Sequence, residues 1–207
     1  MARILIGVTG SVAAIKTTEA LGVAPDKIIT AIRTFKGIKG RVEKIQEGQD
    51  FTVVIDYAHT VDSLQKLYQI FRHDPRASRT NKMIAVLGGT GGGRDKAKRK
   101  DMGALAAHYC DTVILTNEDP YDEDPNQIIE DVKKGVLQAG TTPTVIIDRR
   151  EAIAKAISLA KTGDIILITG KGTDPYIMGA NGHHMPWSDA RIAREELRKL
   201  STLNKKA

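Results

Sequence analysis

At 207 residues and 22.5 kDa the chain has room for one substantial core, or a core with a small appendage, but not for two complete enzyme domains. Apolar residues at 41% and charged residues at 27% exclude a wholly disordered chain, a collagen and a disulfide scaffold. The net charge of +6 suits phosphorylated or other anionic ligands, while aromatics, only 4% of the chain and absent from the basic runs at residues 94–100 and 191–199, argue against a nucleic-acid partner.

In chain order, Ile4-Leu5-Ile6-Gly7-Val8 is strand-like but too short and glycine-rich for a signal segment. No apolar run reaches the ~18 residues of a membrane span. Residues 11–21 and 25–35 are predicted as two short helices broken at Gly22-Val23-Ala24-Pro25, and the turn-rich Gly37-Ile38-Lys39-Gly40 sets an expected boundary between a segment 1–39 and a domain 40–207. From there on, β-branched runs at 51–57, 83–87, 112–116, 144–147 and 165–169 alternate with helical patterns. The near-continuous apolar character of these runs fits strands covered on both faces. Helical stripes fall at Val61, Leu64, Leu67, Tyr68 and Phe71, at Ile128, Ile129, Val132 and Val136, and at Ile153, Ala156, Ile157 and Ala160. A last helix follows Ser188 as N-cap, with Ile192, Ala193, Leu197 and Leu200 on its buried side. The fold class expected is α/β, Rossmann-like, with a mostly parallel sheet and helices on both faces, preceded by a short strand and helix segment. The lone Cys110 has no disulfide or CxxC partner and is expected as a small core residue of a cytoplasmic protein.

Parallel α/β sheets bind ligands beyond the carboxyl ends of their strands, so the residues after each strand carry the functional expectation. The six small residues from Gly88 to Gly93 let backbone N–H groups approach an anion, and Arg94 adds a charged fork; a flexible strand-to-helix turn is the alternative. A Walker A loop would continue Gly-Lys-Ser/Thr, whereas Arg94 and Asp95 follow Gly93, and Arg94 also stands where the dinucleotide pattern needs its third glycine. Asp56 and His59 can meet a ribose, base or phosphate, or Asp56 or Thr60 can cap the next helix. Glu118, Asp119, Asp122, Glu123 and Asp124 lie around two prolines, placed to recognise an ammonium group or to start a helix with favourable charge. Lys171 between glycines, with Asp174 behind it, suits a zwitterionic amino acid or a plain surface loop. His183 and His184 would point to opposite faces of a strand and have no acidic or cysteine partner at ligand spacing, so they are read as hairpin residues and no metal site is expected.

Taken in order, Gly40-Arg41-Val42-Glu43, Asp56-Tyr57-Ala58-His59-Thr60, the 88–99 stretch, the 117–125 turn, Asp148-Arg149-Arg150-Glu151-Ala152-Ile153 and Gly170-Lys171-Gly172 resemble the C-terminal domain of the Mur ligases, on the branch of the UDP-N-acetylmuramoyl-tripeptide synthetases. The resemblance implies a place in peptidoglycan synthesis: ATP phosphorylates the carboxylate of a UDP-linked muramoyl-dipeptide, an incoming amino group attacks, and phosphate leaves behind an amide. It implies that Arg41, Asp56 and His59 stand near the nucleotide, Arg94 meets the amino acid's carboxylate, and Gly170 and Asp174 hold its distal end, with Glu118, Asp119 and Tyr121 completing the pocket. Diaminopimelate-adding members carry Asp-Asn-Pro-Arg at that turn; here the arginine is Tyr121, so the amino acid can be lysine, diaminopimelate or another.

The resemblance further implies ATP and Mg2+ in the full-length family, with most Mg2+ ligands and the UDP-muramoyl-dipeptide site on other domains, and no catalytic residue assigned here. The chain is expected to be inactive alone, as an amino-acid-positioning and nucleotide-closing domain. The alternative is a non-catalytic amino-acid- or nucleotide-binding regulatory module. Residues 1–17 are similar to the opening of the flavoprotein decarboxylases of coenzyme A synthesis, but nothing else of that fold follows and no flavin is expected. Viewed as a Walker A, residues 10–17 place Ile15 where the glycine before Lys16-Thr17 should stand. Neither nucleic acid nor a membrane is an expected partner.

Overall fold

The computed structural model describes residues 22–34, 37–72 and 81–204. The chain divides into two compact units, Met1–Gly37 and Ile38–Ala207. In the first, the described residues form helix α1 (Pro25–Thr34), with Asp26 in its first turn and Arg33 in its last, charges that complement the helix dipole. The expected helix over 11–21 and the decarboxylase-like opening lie outside the described residues, as does Phe35.

The second unit is a six-stranded sheet with helices on both faces. Its elements run β1 (Glu43–Ile45), β2 (Thr52–Asp56), α2 (Val61–Arg72), β3 (Met83–Leu87), α3 (Ala97–Tyr109), β4 (Thr112–Leu115), α4 (Pro125–Gln138), β5 (Thr144–Val145), α5 (Arg149–Leu159), β6 (Ile165–Thr169), the hairpin β7 (Tyr176–Met178) and β8 (His184–Pro186), and α6 (Asp189–Asn204). The strand order is β1-β2-β6-β3-β4-β5. Only β1 is antiparallel; β2, β6, β3, β4 and β5 run parallel in register, as with Val54 opposite Leu167 and Ala85 opposite Leu167.

The apolar runs are explained by two cores. Successive strand side chains point to opposite faces. Met83, Ala85, Leu87, Ile165 and Leu167 join one core with α2, α3 and α4, while Ile84, Val86, Ile166 and Ile168 join the other with α5 and α6. Cys110 is buried in the first core. Helices α3 and α4 meet through glycines: a Cβ on Gly103 would lie 2.0 Å from the Val132 carbonyl oxygen, and one on Gly135 would lie 1.8 Å from that of Lys100.

Three differences from the sequence expectation have local causes. β5 ends at Val145 rather than at residue 147 and is exposed, because it forms the border of the sheet. β1 escapes notice because it is three residues long, with only Ile45 fully buried. α3 shows no clean apolar stripe, because its buried face includes Arg99 and Gly103 beside Met102 and Ala106. At the end of the chain, Ser188 caps α6 as expected, its Oγ accepting from the Arg191 N–H at 3.3 Å. No helix among the described residues is long and apolar enough to cross a membrane.

Candidate functional site

β6 is inserted between β2 and β3. After β3 the chain turns to α3 on one face, and after β6 it reaches α6 on the other, so the carboxyl ends of these central strands lie at the switch point of the sheet, the position at which open α/β sheets bind ligands. Asp56, Gly88, Glu118 and Gly170 all sit there. Glu118 is 2% exposed. Its Oε1 accepts from the Thr90 hydroxyl at 2.8 Å, while Oε2 is buried with no hydrogen-bond partner. Burial pushes the Glu118 carboxyl above its ordinary value; Arg149 and the Thr90 hydrogen bond oppose this, and Asp119 adds to it. Gly170 closes over the unpartnered oxygen at φ +105°, a conformation other residues avoid, and a Cβ there would lie 2.2 Å from Oε2.

Beside it, Lys171 is 1% exposed and donates to both Asp119 oxygens, at 2.8 and 2.7 Å. Asp119 Oδ1 also accepts from the Met178 N–H at 2.8 Å. The Tyr121 N–H donates to the Met178 carbonyl at 3.0 Å and the Asn181 N–H to Asp122 at 2.7 Å, so the β7–β8 hairpin is fastened to the acidic turn. Asp174 Oδ2 is 3.5 Å from Lys171 Nζ, and its side chain is 40% exposed. Tyr121 has φ +51°, rare for a bulky residue, and its ring faces Gly92. The structure therefore gathers Glu118, Asp119, Tyr121, Gly170 and Asp174 in one place.

The glycine stretch is held against this turn: the Gly91 N–H donates to the Asp119 carbonyl at 2.7 Å. Arg94 is exposed and has no carboxylate partner among the described residues. Arg99, which no sequence motif singles out, is a fully buried guanidinium that donates to the Thr90 carbonyl at 2.9 Å, to Glu123 at 2.9 Å and to Asp131 at 3.2 Å. The Arg99 and Lys96 hydrogen bonds hold the Glu123 carboxyl down at about 2. Arg149, to which the sequence alone assigns no role, donates to both Asp189 oxygens at 2.8 and 2.7 Å, to the Asn117 carbonyl at 3.1 Å and to the Thr169 carbonyl at 2.8 Å. It thereby ties the ends of β4 and β6 to the start of α6. Its burial opposes the charge, but Asp189 outweighs this and raises the guanidinium pKa. Its position at the first turn of α5, after the polar Asp148, was the available signal.

A second group lies at the end of β2. Asp56 accepts from the Val42 N–H at 2.8 Å and from the Ala58 N–H at 2.7 Å, so its carboxylate is occupied by backbone. Thr60 and Ser63 cap α2 reciprocally. The Arg41 guanidinium lies 4.4 Å from the Tyr57 ring centroid, and the His59 ring meets Tyr57 edge-on at 4.7 Å. His59 Nδ1 is engaged with the Tyr57 carbonyl at 2.8 Å, and Lys98 Nζ donates to the His59 carbonyl at 3.1 Å. The two groups join where the Gly170 N–H donates to the Asp56 carbonyl at 3.2 Å. Among the described residues, no three His, Cys, Asp or Glu side chains converge as a metal site. His184 lies in the β7–β8 hairpin and His183 immediately before β8.

The family described as "Mur ligase, glutamate ligase domain" matches residues 40–172. A UDP-N-acetylmuramoyl-L-alanyl-D-glutamate–2,6-diaminopimelate ligase of Syntrophomonas wolfei is 38% identical over 195 residues, covering 94% of this chain and 39% of the relative. A UDP-N-acetylmuramyl-tripeptide synthetase of Roseiflexus is 37% identical, covering 93% and 38%. A solved structure of a UDP-N-acetylmuramoyl-L-alanyl-D-glutamate–2,6-diaminopimelate ligase superposes with a TM-score of 0.70 at 33% identity, covering 92% of this chain and 38% of that one. A UDP-N-acetylmuramate-alanine ligase of Thermotoga maritima, 15% identical with a TM-score of 0.60, shares the fold over 92% of this chain and 36% of its own. The chain thus spans less than two fifths of the length of these relatives.

Proposed function

The chain belongs to the Mur ligase family, and from that premise we propose that residues 40–207 are the C-terminal, amino-acid-positioning and nucleotide-closing domain of an ATP-dependent UDP-N-acetylmuramoyl-peptide amino-acid ligase in peptidoglycan synthesis. Residues 1–39 are, in this reading, a segment preceding that domain, and the protein works in the cytoplasm, where its nucleotide substrates are. The observation that carries the proposal is the convergence at the central strand ends: a buried carboxylate, a buried lysine–aspartate pair and a glycine-hinged loop adjoin the Arg41–Tyr57–His59 cluster through the Gly170–Asp56 hydrogen bond.

ATP, when bound, supplies the phosphoryl group that activates the acceptor carboxylate. The residues of this chain hold and orient. Arg41, Tyr57 and His59 offer a cation and two ring faces to a nucleoside. Asp56 acts behind them, fixing the backbone at Val42 and Ala58. Arg94 offers a bidentate fork for the α-carboxylate of the incoming amino acid. Glu118, Asp119, Tyr121, Gly170 and Asp174 shape the remainder of its pocket. Holding the amine in one orientation lowers the entropic part of the barrier to its attack.

Ligands that bind only the folded state raise its melting temperature. Titration of the chain with ATP and with a panel of amino acids, followed by thermal melting, is expected to give a shift with ATP and with at least one amino acid. No shift with either would overturn the assignment. ATP-dependent amide formation by the purified chain alone would overturn its role as a positioning domain.

A further inference from the structure

Resting on the function just proposed, we propose that Glu123, itself held by the buried Arg99, is a positioning residue for Arg94: it pins the last glycine before that arginine, so that the guanidinium fork stands ready for the α-carboxylate of the incoming amino acid.

The acidic turn meets the glycine stretch one residue at a time. The Thr90 hydroxyl donates to Glu118, and the Gly91 N–H donates to the Asp119 carbonyl at 2.7 Å. Gly92 lies against the Tyr121 ring, so closely that a Cβ there would come within 2.9 Å of it. The Gly93 N–H then donates to Glu123 Oε1 at 3.2 Å. Residues 119, 121 and 123 of the turn thus take hold of residues 91, 92 and 93 of the stretch, and Arg94 follows directly. Gly92 and Gly93 stand at φ +68° and +74°, exposed and without side chains of their own to restrict them. What fixes the backbone beside Arg94 is therefore the contact from Glu123.

Glu123 is built to hold rather than to receive a ligand. Its Oε1 takes the Gly93 N–H, and its Oε2 takes Arg99 at 2.9 Å and Lys96 at 3.1 Å. Those two cations keep its carboxyl ionised down to about pH 2. Arg99 is in turn immobile: its side chain is fully buried, and it reaches Asp131 on α4 at 3.2 Å and the Thr90 carbonyl at 2.9 Å. One guanidinium therefore grips the start of the glycine stretch directly and its end through Glu123. Arg94 itself is exposed. A bidentate contact from a side chain on a loose backbone would have to order that backbone on binding, which lowers affinity; a backbone already fixed avoids that loss.

The test reads both the order of the stretch and its consequence for binding, on the full chain. Glu123→Ala leaves Arg99 with Asp131 and the Thr90 carbonyl, and thermal melting verifies that it folds. By 15N relaxation, the Gly93 and Arg94 amides of the parent are expected to be rigid, with order parameters of about 0.85, and those of Glu123→Ala to fall below about 0.6 while α3 and α4 are unchanged. Calorimetric binding of lysine and of diaminopimelate, each beside its carboxamide, is measured with ATP titrated into the same samples. The parent is expected to bind an amino acid about tenfold tighter than its amide, the size of one charge-assisted contact. Glu123→Ala should lose that preference with ATP binding unchanged. Arg94→Gln should lose it too, and adding Glu123→Ala to Arg94→Gln should weaken amino-acid binding no further, because a residue that acts through Arg94 has no effect once Arg94 is gone; a merely structural role would add a second loss. Glu123→Gln, with one carbonyl oxygen for the donors that two oxygens served, should give the same changes at smaller size, and it decides on the same criteria if Glu123→Ala does not fold. Rigid amides at Gly93 and Arg94 in the variant, or a preference that survives in it, overturn the inference. Arg94→Gln that keeps the preference overturns it and also removes Arg94 from the proposed function. Absence of binding by both amino acids overturns it as well, and ATP binding then separates the two readings: retained, the nucleotide half of the proposed function stands; lost, that function falls too.

Discussion

Glu118 shows how much one oxygen atom can decide. One side of its carboxylate is satisfied by Thr90 and the other is buried against Gly170 with nothing to accept from. A buried acceptor without a partner costs stability, most of all when it carries a charge. Because the folded-state pKa lies above the ordinary value of 4.5, the protonated form is the one the fold favours. The contribution of Glu118 to stability is therefore fully present below its ordinary value and is lost as pH rises through the raised folded value. Glu118→Gln, neutral at all pH, should match the parent below about pH 4.5 and melt at a higher temperature than the parent at neutral pH. A variant that melts below the parent at neutral pH would mean that the ionised carboxylate is matched by its surroundings. The oxygens of Asp119 and Asp56, unlike Oε2 of Glu118, are taken by Lys171 and by backbone N–H groups, so these two side chains organise the strand ends from behind.

The helices α3 and α4 are joined by close backbone approach as well as by side chains. A methyl group at Gly103 would need the space held by the Val132 carbonyl, so Gly103→Ala must push the helices apart, at a cost of about 3 kcal/mol or more. Urea denaturation would register this as a lower midpoint at unchanged slope. The same seam explains what was hard to read in the sequence. β3 and β6 were legible to the residue, because strands covered on both faces must be apolar throughout. α4 was legible by its stripe, and Asp124 and Pro125 mark its start. α3 hides its stripe, since glycine and alanine supply closeness rather than hydrophobicity and Arg99 fills a core position with a charged head held by Glu123 and Asp131. The site divides likewise. Residues following strands were found by position, but the Lys171–Asp119 pair joins residues 52 apart, and no local pattern reports such a partnership.

At the scale of the molecule, the sheet and both of its cores are contained in the second unit. Residues 38–207 expressed without the preceding segment should unfold in one cooperative transition and bind the same ligands as the whole chain. A multistep transition, or loss of ligand binding, would show that residues 1–37 complete the fold. The borders of the sheet carry a separate consequence. A long unpaired strand is a template on which another chain can add and from which aggregates grow. Here the outermost strands are the three-residue β1 and the two-residue β5, each too short to guide such growth. The unit can thus leave Val145 and Ile147 exposed at one border and still resist being extended strand by strand when it is concentrated.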